Sequence, residues 1–360
     1  MISLIQSKKK KKVVIAAFIV AFLALTSTSA YFYFLKKPSQ TVQNPPENQI
    51  THPPCLGDNE IADFLVDEKF GFKYPKFPII VSVKDKNTSK EKFHFQIDNV
   101  SKNYHSVEIH KCGVYAIREF NYDDKKTKQD PGYKEEIWKY DYNGKGESLV
   151  LLTEKPKEFI SYYDGDFRVD PMEIYIALVR SYSEIPENIG YYFKNQQTRE
   201  DSFTLSYPSI LKISPDIDGY LGLENWTKSG SYFWGDIFAG APRLGFVRIK
   251  RDSWEYDVLP APAGTLGGTA FNPEFGYLTY NTGPGWIGID VITEQVHDEW
   301  RKAGKIVEFH LYNLFTKDDI LLATSTEPSW NGKPQWLSDT ELQYELSTGE
   351  KKIYKIKESE

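Results

Sequence analysis

Four carboxylates recur within short turns rich in Pro, Asp, Ser or Gly, namely Asp170, Asp216, Glu274 and Asp339. Two carboxylates about 5–9.5 Å apart can hydrolyse a glycosidic bond as acid and as base or nucleophile. An Asp in a turn, however, also bonds its own backbone and tolerates unusual dihedral angles. Repetition at equivalent turns favours this structural role, because a catalytic pair would break the repeat. A carboxylate-dependent glycan hydrolase is therefore the alternative function.

The sequence lacks the motifs of three other classes of site, namely a serine nucleophile, a dinucleotide-binding loop and a zinc site. There is no Gly-x-Ser-x-Gly nucleophile motif, and the serines of Lys228–Ser231 lack its glycine spacing. Leu266–Thr269 lacks the dinucleotide-binding glycine pattern and is followed by Pro273. The six histidines and two cysteines show no zinc-type spacing. We expect no catalytic residue of these classes, no metal and no cofactor.

The two cysteines, Cys55 and Cys112, both follow the apolar segment that would direct export. An even number of cysteines in an oxidising compartment suggests a disulfide. A bridge across this interval would stabilise the fold by roughly 4 kcal/mol in the chain-entropy model. Two free thiols are the alternative.

Aromatic residues concentrate in two segments that interrupt the repeat, residues 226–243 and residues 286–304. Loops on a rigid scaffold commonly carry binding, and exposed aromatics anchor protein or carbohydrate partners. Residues 291–301 are compatible with a short helix. The candidate binding residues are Tyr232, Phe233, Trp234, Phe238, Trp286 and Trp300. The alternative is that these aromatics fold inward.

A strand–turn–strand pattern recurs five times, beginning at Ile109, Val169, Ile213, Phe271 and Trp336. Each instance is followed by further alternating strand, and residues 136–152 form a hairpin pattern with Asn143-Gly144 at its turn. Four antiparallel strands per unit are typical of propeller blades. The sequence therefore predicts an all-β propeller of five or six blades, with two stacked sandwiches as the structural alternative.

The last unit is one strand short, which would leave an open sheet edge. Phe93–Ile97 is predicted to supply the missing strand beside Lys352–Ile356 and so to close the ring. Alternatively, Phe77–Val83 pairs with Phe93–Ile97 and adds a sixth blade.

Three stretches resemble the repeats of TolB-type propellers: ISPDIDGYLGL, EIWKYDYNGKGESLVLLT and PQWLSDTELQYEL. The pattern covers roughly residues 105–357. FNPEFGY lacks the Asp-Gly pair of that turn, and IHKCGVY lacks both Pro and Asp, which leaves the blade number open. The resemblance implies a recognition platform, and no stretch is left over for a peptidase domain.

The amino-terminal region predicts a membrane anchor. Lys8–Lys12 form a cytoplasmic basic segment (1–12), and Val13–Leu35 contain no charge in 23 positions, enough to span a bilayer. The denser positive charge before this anchor (13–35) places the following chain outside the cell. A proline-rich linker (36–58) would then lead to an extracytoplasmic propeller (59–360). A cleaved secretory signal ending at Thr28-Ser29-Ala30 is the rival reading.

Charge narrows the possible partners. The chain has a formal net charge of −6, and residues 1–37 contain seven lysines and no acid, so the remainder carries −13. Such acidity disfavours nucleic acid and anionic lipid head groups. The sequence thus predicts a single-pass, membrane-anchored scaffold that binds an extracytoplasmic protein or polysaccharide. A purely structural envelope component is a third possibility.

Overall fold

The computed structural model describes residues 55–69, 72–76, 78–97, 100, 107–119, 134–143, 147–154, 167–180, 185–239, 243–262, 269–284 and 290–356. The predicted basic segment 1–12, the anchor 13–35 and the linker up to residue 54 lie outside these residues. None of the helices in the described ranges is long and apolar enough to cross a membrane.

The described residues form six antiparallel sheets and one separate hairpin. The first sheet has the order β1-β4-β5, and its strands are Glu60–Phe64, Ile79–Asp85 and Glu91–Ile97. The separate hairpin consists of β2 (Val66–Lys69) and β3 (Phe72–Pro75). The second sheet is β6 to β9: Val107–His110, Gly113–Glu119, Lys134–Tyr140 and Glu147–Glu154. The third sheet is β10 to β13: Phe167–Val169, Tyr175–Arg180, Gly190–Asn195 and Asp201–Ser206.

The remaining sheets follow the same chain order. The fourth sheet is β14 to β17: Tyr220–Trp226, Tyr232–Phe238, Arg243–Lys250 and Tyr256–Pro260. The fifth sheet is β18 to β21: Phe271–Asn272, Tyr277–Asn281, Val307–Asn313 and Asp319–Ser325. The sixth sheet is β22 to β24: Gln335–Trp336, Glu341–Glu345 and Lys351–Lys355. Helix α1 (Tyr207–Ile213) precedes β14, and helix α2 (Asp290–Lys302) lies between β19 and β20.

Neighbouring sheets pack face to face in chain order. Separate apolar clusters join the first to the second sheet, the second to the third, the third to the fourth and the fourth to the fifth. Phe309 of the fifth sheet contacts the rings of Trp330 and Tyr344, on the side of the sixth sheet. Four-stranded antiparallel sheets packed in this sequence are consistent with a propeller. The all-β prediction is confirmed.

The strand–turn–strand pattern gives the first two strands of a sheet at four of its five positions. The exception begins at Ile213, which is the last residue of helix α1 rather than part of a strand. Pro208 near the start of this helix suits its first turn, where a missing N–H is tolerated. Tyr220–Trp226 is consequently the first strand of the fourth sheet, not the second. The sequence pattern therefore assigned this segment to a position one strand too late in its sheet.

The predicted ring closure is wrong. Phe93–Ile97 pairs with Ile79–Val83 in the first sheet, and β24 is paired with β23 alone among the described strands. Asp85 favours the local hairpin because its Oδ1 accepts the backbone N–H groups of Asn87 and Thr88 in the connecting turn. A short loop also loses less entropy on closure than pairing across most of the chain. The alternative, in which this pair forms an additional sheet, is what the structure shows.

A disulfide joins Cys55 to Cys112. It connects the residues ahead of β1 to the turn between β6 and β7, where the N–H of Leu56 also donates to the carbonyl of Lys111. The bridge therefore ties the start of the described chain to the second sheet.

Replacing both cysteines, Cys55→Ser with Cys112→Ser, should lower the free energy of unfolding by about 4 kcal/mol, because the unfolded chain regains the entropy of a long loop. Guanidinium denaturation of the variant and the oxidised protein measures this. The single variant Cys55→Ser should lose as much as the double variant. Equal stability of oxidised and double-variant proteins would contradict a stabilising bridge.

Candidate functional site

The turns between the first and second strands of the second to sixth sheets touch one another in sequence. Glu173 in the third sheet's turn accepts a hydrogen bond from the backbone N–H of Cys112 in the second (2.6 Å). A Cβ placed on Gly230 in the fourth sheet's turn would lie 3.3 Å from Cδ of Pro171. Lys228 in that same turn reaches the turns of the fifth and sixth sheets. We call these five turns (111–112, 170–174, 227–231, 273–276 and 337–340) the turn face.

Glu173 is the best-connected carboxylate of the turn face. It adopts a positive φ of 56° and accepts hydrogen bonds from the hydroxyl of Tyr115 (2.8 Å) and Nζ of Lys139 (2.7 Å), besides Cys112. Burial raises the pKa of Glu173, but the bonds from Lys139, Cys112 and Tyr115 outweigh it, so the pKa lies below its usual value. Glu173 is therefore a carboxylate locked into a structural role.

The recurring turn carboxylates also support the turns. Asp170 is fully buried; its Oδ1 accepts the N–H groups of Ile174 and Tyr175, and its Oδ2 lies 3.0 Å from Nη2 of Arg251. Glu274 accepts the backbone N–H of Lys228, whose Nζ donates to Asp339 (2.5 Å). Asp216 is exposed in the connection after helix α1 and lies outside the turn face.

Apolar side chains protrude from three of these turns. Met172, Phe275 and Leu337 are 61%, 41% and 46% exposed, respectively. One such residue therefore lies in each of the third, fifth and sixth sheets' turns. Exposed apolar side chains among polar neighbours can serve as contacts with a partner.

A second group of charged residues links the second, third and fourth sheets. Glu108 in β6 accepts the N–H of Val169 (2.8 Å) and lies 3.6 Å from Nη1 of Arg168 in β10. Arg168 in turn donates from Nε to the backbone carbonyl of Glu224 in β14 (2.7 Å). The remaining members are Asp236 in β15 and Arg243 in β16. We call Glu108, Arg168, Glu224, Asp236 and Arg243 the inner charge chain.

The inner charge chain ends in a carboxylate–arginine–carboxylate triad. Nη2 of Arg243 contacts Oε1 of Glu224 and lies 3.1 Å from Oδ2 of Asp236. Glycine at position 222 leaves room for it, since a Cβ there would lie 2.3 Å from Oδ1 of Asp236. The hydroxyl of Tyr191 in β12 donates to the backbone carbonyl of Asp236 (2.9 Å) and so links the third sheet to strand β15.

Glu224 has an unusual protonation equilibrium. Burial, opposed by Arg243 and assisted by Asp236, raises the pKa of Glu224 to about 7. A carboxyl group with such a pKa could exchange protons near neutral pH, as a general acid or base does. The guanidinium of Arg243, however, bonds the two carboxylates that would have to form a catalytic pair.

The predicted binding aromatics between residues 232 and 238 do not lie in an exposed loop. Residues 232–238 form strand β15 rather than a loop, and Phe233 and Trp234 are buried between sheets. Tyr232 and Phe238 are half-buried at the two ends of that strand. The expectation of an exposed aromatic loop is wrong here, because alternate residues of β15 face the third and fifth sheets.

The second predicted segment is only partly described. Trp300 is half-buried in helix α2, which extends over Asp290–Lys302 much as expected, and Nζ of Lys305 lies 5.0 Å from the centre of its ring. Trp286 lies outside the described residues. The structure does not bring Trp300 together with the aromatics of β15 in any contact among the residues it describes.

The inner charge chain was not predicted from the sequence. Its signal was present as a glutamate within the alternating strand LGLENW and an aspartate after glycine in FWGDIF. The register then brings the two carboxylates together, because Asp236 pairs with Gly222, and Glu224 follows two residues later at a register shift between Leu223 and Asn225.

No family model and no curated protein matches this chain. Solved structures similar to it include two TolB proteins. They also include an oligogalacturonate lyase in complex with manganese (10% identity, 82% of this chain, 73% of that chain, TM-score 0.42). A TolB-type protein from Agrobacterium tumefaciens has 8% identity over 79% and 84% of the chains (TM-score 0.39). TolB from Acinetobacter baumannii has 11% identity over 82% and 77% (TM-score 0.29).

Glu224→Gln should change how stability depends on pH. Between pH 4.5 and about 7 the folded protein binds a proton at Glu224 that the unfolded chain releases, so wild-type stability falls as the pH rises through this window. The difference corresponds to about 3 kcal/mol. The stability of Glu224→Gln relative to wild type should therefore rise by that amount from pH 4.5 to pH 8 in urea denaturation.

The matched control is Glu255→Gln, a substitution at a side chain that is 74% exposed. Its stability relative to wild type should stay constant within 0.5 kcal/mol over the same range, roughly the usual limit for surface changes. If the two variants gave parallel pH profiles, the raised pKa of Glu224 would be refuted.

Proposed function

We propose that the protein is a membrane-anchored, extracytoplasmic β-propeller of six blades that serves as a binding scaffold for an envelope protein or polysaccharide. Residues 13–35 supply the anchor in this proposal, and the turn face supplies the binding surface. The cytoplasm lies on the side of residues 1–12.

The disulfide is the observation that supports an exterior location. Disulfides persist in oxidising compartments and are rare where thiols are kept reduced. Both cysteines of the chain are used in the bond between Cys55 and Cys112. Its position directly after the proline-rich linker would also protect the start of the domain, where a tethered domain is most easily frayed.

The turn face is the surface best suited to a partner. Hydrogen bonds of Glu173 and Lys228 link its turns to one another, which reduces the conformational entropy that the turns would lose on binding. Met172, Phe275 and Leu337 present apolar area from that rigid frame. Apolar contacts surrounded by polar groups are the usual composition of a protein interface. This composition favours a protein over a polysaccharide as the partner.

The inner charge chain favours a scaffold over a glycan hydrolase. A hydrolase requires its two carboxylates to face a sugar from opposite sides. Glu224 and Asp236 instead share one guanidinium, and breaking such a partly buried arrangement would leave an uncompensated charge. The raised pKa of Glu224 is the one observation that favours the hydrolase as a second candidate.

Incorporating a photo-crosslinking amino acid at Phe275 in the full chain should capture a protein partner in intact cells, because this side chain projects from the turn face. The matched control position is Leu321, which is 51% exposed on the outer strand of the fifth sheet. Capture at residue 275 should exceed that at residue 321 at least tenfold, and Met172→Asp should reduce it several-fold. Equal capture at both positions would refute the turn face as the binding surface.

The hydrolase candidate is tested with the same Glu224→Gln variant. If the protein is a scaffold, wild type and variant should release no reducing sugar from envelope polysaccharides. Release by wild type with a loss of at least a hundredfold in Glu224→Gln would establish the second candidate instead.

A further inference from the structure

Three tripeptides of the form Asn-x-Ser/Thr follow the predicted anchor, namely Asn87–Ser89, Asn99–Ser101 and Asn225–Thr227. In exported proteins this tripeptide is the acceptor sequence for a glycan on the asparagine amide, and an acceptor in use lies on the surface. Asn99 and Ser101 lie outside the described residues. The structure therefore compares the first tripeptide with the third.

The first tripeptide forms the tight turn between β4 and β5, and Asn87, Thr88 and Ser89 are all exposed. Asp85 holds the turn in place. Its Oδ1 accepts the backbone N–H groups of Asn87 (3.0 Å) and Thr88 (2.9 Å), and its carbonyl accepts the N–H of Ser89 (2.8 Å). The turn is thus ordered without any use of the asparagine's own amide group.

The two groups that an acceptor tripeptide must present are accessible here. Within the part of the chain that the structure describes, neither the side-chain amide of Asn87 nor the hydroxyl of Ser89 forms a hydrogen bond. A glycan on Nδ2 of Asn87 would therefore extend into solvent without breaking a native contact.

The third tripeptide is used by the fold itself. Asn225 lies in β14, and its Oδ1 accepts the N–H of Trp226 (2.8 Å). Trp226 and Thr227 are only 4% and 5% exposed. The hydroxyl of Thr227 donates to the carbonyl of Tyr232 (3.3 Å) and accepts the N–H of the same residue (3.1 Å). The folded chain cannot present this tripeptide to an enzyme, so it serves as an internal control.

We propose that Nδ2 of Asn87 is an N-glycosylation site. The donor is an oligosaccharide linked to a lipid diphosphate. A bond forms between Nδ2 and the anomeric carbon of the sugar, while the bond from that carbon to the diphosphate breaks. The lipid diphosphate leaves with the bonding electrons, and the amide loses one proton. This inference rests on the proposed exterior location, which the disulfide between Cys55 and Cys112 supports.

A glycan at this position would stand beside the turn face. The N–H of Lys86 donates to the carbonyl of Asn59 (2.8 Å). The neighbouring Asp58 lies 3.6 Å from Nζ of Lys111, which belongs to the second sheet's turn. Because a glycan is bulky and hydrated, it would limit a partner's approach to the turn face from the side of the second sheet.

The test is mass spectrometry of the full chain purified from the membranes of cells that produce it naturally. The peptide containing Asn87 should carry a hexose- or N-acetylhexosamine-containing adduct. Asn87→Gln and Ser89→Ala should each lower the amount of this glycopeptide at least tenfold, because transfer requires both the amide and the hydroxyl. Both substitutions replace exposed side chains, so the fold is retained. Asn225→Gln is the matched control and should leave the glycopeptide unchanged.

Alkylation of cysteines before and after reduction, in the same preparation, separates the two proposals. If Cys55 and Cys112 are bonded but Asn87 carries no glycan, the glycosylation inference is wrong while the exterior location stands. If both cysteines are reduced, the location and the glycosylation site are overturned together. A glycan that persists in Ser89→Ala, or that is attached to Asn225, would also contradict the inference.

Discussion

The structure depends on each sheet burying its faces against its neighbours. The largest cluster, between the third and fourth sheets, contains Tyr191, Phe193, Trp226 and Phe233, all buried. Aromatic side chains contribute the most area per residue to such a layer, and their edge-to-face contacts add to it. Gly235 is required at this interface because a Cβ there would lie 2.4 Å from the ring of Tyr191. The high aromatic content of the chain therefore serves packing between sheets.

The same burial explains the electrostatics of the inner charge chain. Glu224 projects from β14, the first strand of the fourth sheet, where its side chain is largely buried, and desolvation raises its pKa despite the neighbouring guanidinium. Arg243 compensates two carboxylates at once, which allows them to remain inside without an isolated charge. The ion pairs of these residues link adjacent strands of the fourth sheet.

A body built in this way leaves the turn face available for interaction. The turns at one end of the sheets are linked by hydrogen bonds and carry exposed apolar side chains. The disulfide connects the residues ahead of the first sheet to the turn face, since Cys112 lies there.

Much of the strand pattern followed from the sequence alone. Alternating segments such as Val307–Asn313 and turns containing Asp170 or Asn272 are local signals, because side-chain alternation and backbone bonding in turns act within a few residues. The run Val13–Leu35 likewise predicts an anchor by its length. Tertiary structure decided what depends on distant partners. It set the frame of the fourth sheet, where helix α1 displaced the expected strand, and buried the aromatics of β15. It also united Glu224, Asp236 and Arg243, because which residues meet across strands depends on register, which local composition does not encode.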